Sequence, residues 1–342
     1  MKAFSRLLTS LSLLLFTLGV GACGEADVHA PEGWTDSLAE VKPGWLMNVH
    51  ALAHDDRYAV GGTLDKGEMY HFDGLVWETV DFGAEVPLLN WVHGDETGAL
   101  ITVGQGGTAL HFDGTSWQQM ETPTAQNLWG VWGTSMDDVW AVGGDAFPSD
   151  ELRGVVLRWN GSAWSEVALP ESLDAGEVYA WFKVWGSGPS DVYIVGQKGA
   201  VLHWDGASLT ELDVGAEDDL IAVWGTGPDN VALVGGRNNG IVARWDGADW
   251  SLKKMAPLPG FNGVWMRDPQ RIHVGGNYGT VAVLDFATLD IVQEVSLDTT
   301  DDVHALHGSG DGVITAVGGN LLSNGIGGFT GIAYHRALKD GE

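Results

Sequence analysis

Val184-Trp-Gly-Ser-Gly-Pro-Ser-Asp-Val-Tyr-Ile-Val-Gly196 runs on through Gln197 and Lys198 into Gly199-Ala-Val-Leu-His-Trp-Asp-Gly206. The stretch holds three short apolar runs. A Gly-Pro-Ser-Asp reversal separates the first two, and the third ends in an aromatic-Asp-Gly hairpin signal. Much of it recurs at Val131-Trp-Gly-Thr-Ser-Met-Asp-Asp-Val-Trp-Ala-Val-Gly143. The Val-Gly pair closing the second run falls at Val60-Gly61, Val103-Gly104, Val142-Gly143, Val195-Gly196, Val234-Gly235, Val274-Gly275 and Val317-Gly318, with gaps of 43, 39, 53, 39, 40 and 43 residues. A repeat of about forty residues built from short strands and Gly/Asp turns is the signature of a propeller blade. Seven copies predict an all-β, seven-bladed β-propeller of four-stranded antiparallel blades.

Within a copy, strand A carries Val-Trp-Gly and strand B alternates toward Val-Gly. Strand C ends in Phe72-Asp73-Gly74, Phe112-Asp113-Gly114, Trp159-Asn160-Gly161, Trp204-Asp205-Gly206 or Trp245-Asp246-Gly247, and strand D opens on Trp77, Trp117, Trp164 or Trp250. The sixth copy, Leu284-Asp285-Phe286, lacks the Asp-Gly, and the seventh stops near Tyr334-His335 with little left for a strand D. Trp34-Thr-Asp-Ser-Leu-Ala-Glu-Val41 resembles Trp164-Ser-Glu-Val167, so the N-terminal segment is expected to complete the last blade and remove the open edge. Over residues 34 to 338 the pattern resembles kelch-like propellers. It is closer still to the tryptophan-rich propeller repeats of bacterial secreted lipoproteins. That resemblance implies a fold and leaves the ligand open.

The chain opens with Lys2, Arg6 and an apolar run from Leu7 to Val20, too short for a membrane span and suited to a signal peptide. Val20-Gly21-Ala22-Cys23 resembles a bacterial lipobox, with ordinary secretion and cleavage near Ala22 as the alternative. The resemblance implies residues 1–22 as a lipoprotein signal peptide, Cys23 as the lipidated residue, 23–33 as a tether and 34–342 as the propeller. With no Asp at Gly24, the outer membrane or cell surface is expected ahead of the inner membrane. Cys23 is the single cysteine, so no internal disulfide is possible.

Seventeen basic against 46 acidic residues give a formal charge of −29. Removing Lys2 and Arg6 with the leader leaves 15 against 46, or −31. Such a surface repels phosphate backbones, which argues against nucleic acid as a partner. No nucleophile elbow, zinc-protease motif or phosphate loop is present.

Repeating residues read as structural, including Trp132, Trp185, Trp224 and Trp265. One break stands out: His50, His93 and His307 hold the strand A tryptophan position in blades that are contiguous in a closed ring. Three imidazoles suit a zinc, copper or iron site, or they serve as smaller wedges. No other cofactor is expected.

The B–C loops vary most, and variable loops on a rigid ring are where repeat proteins place binding. Lys66, Phe147, Arg153, Lys198, Arg237, Asn239 and Tyr278 lie in them, and Trp181 ends a long D–A link on the same face. Four of the 15 remaining cations (Lys66, Arg153, Lys198 and Arg237) give this face a relative positive bias suited to a glycan or an acidic peptide. The resulting expectation is a non-catalytic, lipid-anchored binding module for a protein or glycan of the cell envelope. A metal-dependent enzyme or metal-binding protein built on the histidines, and a structural subunit of an envelope complex, are the alternatives.

Overall fold

The computed structural model describes residues 33–38, 41–145, 154–171, 178–320 and 329–339. Cys23, the leader and the loop residues Phe147 and Arg153 lie outside them. Seven four-stranded antiparallel sheets form, each ordered A-B-C-D from the inside out. Strands A are Trp45–Ala53, Leu89–Gly94, Leu128–Ser135, Trp181–Gly188, Leu220–Gly227, Phe261–Trp265 and Asp302–Gly308, for blades 1 to 7 in turn. Strand A of blade 1 packs against strands A of both blade 2 and blade 7, so the ring is closed.

Closure uses the N-terminus as expected. Thr35–Asp36 pairs with strand C of blade 7 (Thr330–Ala337) in the register Thr35↔His335 and Asp36↔Tyr334. Trp34 is 3% exposed and packs with Trp265, Ile314 and Tyr334, in the role that Trp164 plays at the start of its own strand D. Ser37 extends the link by donating to the Ala333 carbonyl and accepting from Trp77 Nε1 of blade 1.

The aromatic-Asp-Gly signal closes a four-residue loop rather than a two-residue turn: Phe72 pairs with Trp77 across residues 73–76. Asp73 Oδ1 accepts from the Leu75 and Val76 amides, and Asp113, Asn160, Asp205 and Asp246 repeat that cap. Gly74 has a φ of +95°, a region costly to residues with a Cβ. Blade 6 keeps the cap through Asp285 Oδ1 and the Thr288 amide, and it forms a strand D at Ile291–Ser296.

The polar residue before the strand C aromatic is structural. His71 meets Asp56 at 2.8 Å and stacks on Tyr58, His203 meets Asp191 at 2.7 Å against Tyr193, and Arg158 meets Asp138 at 2.8 Å over Trp140.

The Trp-Gly pair of strand A explains how blades wedge together. Each tryptophan lies over the glycine that follows the wedge residue of the next blade. A Cβ on Gly186 would come 2.7 Å from Trp132 Cη2, and one on Gly225 2.5 Å from Trp185 Cη2. Only a glycine leaves room for the ring. Blade 6 has Met266 at that place. Trp224 instead donates Nε1 to the Met266 carbonyl and meets His307 edge-on, 5.1 Å between ring centroids.

Candidate functional site

Every strand A carries a β-bulge near its start. The register slips between Leu46 and Asn48, Leu89 and Trp91, Leu128 and Gly130, Trp181 and Lys183, Leu220 and Ala222, Phe261 and Gly263, and Val303 and Ala305. The extra residues are Met47, Asn90, Trp129, Phe182, Ile221, Asn262 and His304. A bulge re-aims the side chain it inserts. Six of these seven, all but Asn90, line one funnel of about 750 Å³ on the B–C face. At this position the repeat holds six residue types in seven copies, and at the next it holds five. Positions that differ from copy to copy at the mouth of a rigid ring are where specificity is expected.

The upper wall comes from the ends of strands B and the residues before strands A. It includes Gln105, Asn127, Arg237, Asn277, Asp302 and Asn320. Three loops there share one construction: Gly106, Lys198 and Tyr278 all have φ between 56° and 65°, and their amides donate to Asn127, Asp219 and Asp302 of the next blade. A Lys and a Tyr in that conformation are held by the cap against a steric cost. The caps thereby preset the rim.

The funnel is dead-ended. The void beneath it is about 20 Å³, room for about one water, and is lined by His50, His93, Trp132, Trp224 and His307.

Those histidines do come together, with ring centroids 4.5 Å apart for His50–His307 and 5.4 Å for His50–His93. Their nitrogens do not converge on a metal. His307 Nδ1 accepts from the Ala51 amide at 3.0 Å, His93 Nε2 meets the Gly133 carbonyl at 2.9 Å, and His50 bonds to the backbone of Gly94. Among the described residues no group of three or more His, Cys, Asp or Glu is placed to hold a metal ion. Burial holds His93 down to about 4 and His307 to about 3, and burial with the two neighbouring imidazoles holds His50 well below its ordinary value. They are neutral wedges. His307 faces Ala51 where five blades present glycine, leaving less room for a tryptophan.

The expected ligand contacts fare unevenly. Trp181 is core: it is 0% exposed beneath Gly154 and Gly196, so it cannot meet a ligand on this face. Arg237 lines the funnel, but Asp219 neutralises it at 2.5 Å. Lys66 is exposed, away from the funnel and 3.4 Å from Glu68. Two of the four cations behind the expected positive bias of the face are therefore paired with carboxylates. Lys198, Asn239 and Tyr278 are exposed around the rim.

Lys183 escaped the sequence reading. It lines both the funnel floor and the void below, with Nζ 2.7 Å from the Trp129 carbonyl and 4.1 Å from the Trp91 ring centroid. Burial holds its pKa down to about 7. Its signal was a cation inside Trp181-Phe-Lys-Val-Trp185, at a place where other copies have Asn48, Trp91, Gly130, Ala222, Gly263 and Ala305. On the opposite face, Ser309 and His54 both bond Asp311. The carboxylate sits between hydroxyl and imidazole, so the imidazole does not activate the serine.

No known family's sequence profile matches the chain. A stretch of 204 residues, 57% of the chain, is 26% identical to the Immune protein Tsi7 of Pseudomonas aeruginosa, and the match spans 60% of that protein's length. Among solved structures, the RRP9 WD40 repeats superpose with a TM-score of 0.70 at 11% identity, covering 91% of this chain and 98% of theirs. The WD40 β-propeller domain of Doa1 gives 0.68 at 11%, covering 90% and 98%. YCF48 bound to D1 peptide gives 0.62 at 14%, covering 90% and 97%. At these identities the solved structures share the fold: a seven-bladed propeller with WD40-type neighbours.

Proposed function

We propose that this protein is a non-catalytic binding module that receives a segment of a protein partner in the funnel of its B–C face. The observation that carries the reading is the bulge in all seven strands A, which lines a dead-ended mouth with a different side chain from almost every blade. Apolar and aromatic walls with a ring of carboxamides match the extended backbone and mixed side chains of a peptide. The relatives lend support, since one is named an immune protein and one propeller neighbour was solved with a peptide bound. A protein is preferred to a glycan on those grounds. A photo-crosslinking residue at Phe182 should capture a polypeptide in the native cell, while one at Leu75, 85% exposed on the far face, should not. Equal capture from both sites, or capture of glycan alone, would overturn the proposal.

The same reading places the propeller in the cell envelope as a member of the tryptophan-rich lipoprotein propellers, tethered through an acylated Cys23. The lipobox-like Val20-Gly21-Ala22-Cys23 supports it. Cys23→Ser should abolish incorporation of radiolabelled palmitate and move the protein from the membrane to the soluble fraction. Unchanged fractionation would refute the anchor and leave the funnel reading intact.

A further inference from the structure

Lys183 differs from most cations of this protein and resembles buried Arg57, which is held by the Thr315 hydroxyl and the Phe72 ring. Arg158, Arg237, Arg244, Arg271 and Lys253 each have a carboxylate oxygen within 2.8 Å. Lys183 has none among the described residues, in a chain with 46 acidic side chains. A largely buried ammonium held only by one carbonyl and one indole face is costly to folding, and a hydrocarbon of its size is not. Four other blades have Gly or Ala at its position, and the remaining two have Asn48 and Trp91. It stands at the floor of the funnel, between the funnel and the small void beneath it.

We propose that Lys183 is the anion-recognising centre of the funnel, and that the bound protein segment presents a carboxylate to it. The inference rests on the protein-binding reading above. A dead end suits a chain terminus or the tip of a loop, so the carboxylate comes from a C-terminus or from an Asp or Glu side chain. Of the two acids lining the funnel, Asp302 accepts the Tyr278 amide at the rim, and Asp145 is also engaged. Among the funnel cations, Arg237 already has Asp219, which leaves Lys183 as the unmatched charge. A carboxylate there gains from the low dielectric of the site. Burial holds the free amine down to about 7, so a bound carboxylate also restores its proton.

The test uses detergent-solubilised full-length protein and four pools of random heptapeptides, with a C-terminal acid or amide and with or without Asp and Glu. The acid-free amide pool should be retained at least tenfold less than the others. The pool that binds best identifies whether terminus or side chain supplies the charge. Lys183→Met should erase the difference without lowering the melting temperature, and Lys183→Arg should restore part of it. Lys183→Gln serves should the methionine variant fold poorly, and the comparison among pools on the unaltered protein needs no variant. Equal retention of all four pools overturns the role of Lys183 and leaves the peptide-binding reading standing. So does a preference that survives in Lys183→Met. Retention of none overturns both.

Discussion

At the scale of the residue, the wedge position adapts to its neighbour in some blades, while His50 and His93 are histidines although they face Gly94 and Gly133. Trp132 and Trp185 find glycines on the next blade and lie flat, Trp224 finds Met266 and turns to His307, and His307 finds Ala51 and is small. The consequence for pH follows from the imidazoles being neutral when folded. His93 is held to about 4, and His307, His304 and His273 to about 3, in each case chiefly by burial. An unfolded imidazole takes up its proton near 6.5. Between about pH 6.5 and 4 the unfolded chain thus binds more protons, and stability present above 6.5 is lost as pH falls, by up to about 1.4 kcal/mol per pH unit for each group. Urea midpoints should drop steeply between pH 7.5 and 5, and His93→Gln should flatten that slope. A variant with the wild-type slope would contradict the buried neutral state.

At the scale of the element, the two residues of Thr35–Asp36 do more than their length suggests, because Trp34 beside them is buried where the last blade needs its outer wedge. Trp34→Ala should cost about 3–5 kcal/mol, the usual range for emptying a core tryptophan site. Deleting residues 32–41 should cost more, since it also exposes strand C of blade 7. Thermal unfolding near the wild-type midpoint in the deletion would show that the ring does not depend on this closure. The strands themselves were readable, since Val-rich alternation and Asp-Gly turns are local. The bulges were not. An inserted residue looks like its neighbours in sequence, and only the ladder shows that Phe182 or Ile221 has no partner opposite.

At the scale of the whole molecule, 46 acids against 17 bases in the full chain imply mutual repulsion. Raising ionic strength from about 10 mM to 150 mM shortens the screening length from about 30 Å to about 8 Å and should raise the melting temperature. A fall would mean that surface ion pairs such as Arg271–Asp285 outweigh that repulsion. The closed floor is likewise a property of the whole ring. Trp224 and His307 belong to blades 5 and 7, and they line the small void below the funnel together with residues of other blades.

What the sequence determined by itself was the ring: seven copies, four strands in each, and a last blade completed by Trp34. These follow from local periodicity and turn chemistry, which one copy states and the others repeat. Only the tertiary structure decided which charges stand alone. Lys66, Arg237 and Lys183 are alike as letters, yet Glu68 and Asp219 neutralise the first two, and Lys183 meets a carbonyl and an indole. Pairing of charges depends on distances across blades, which local sequence does not encode. For the same reason Trp181 looked like part of a binding face and proved to be core.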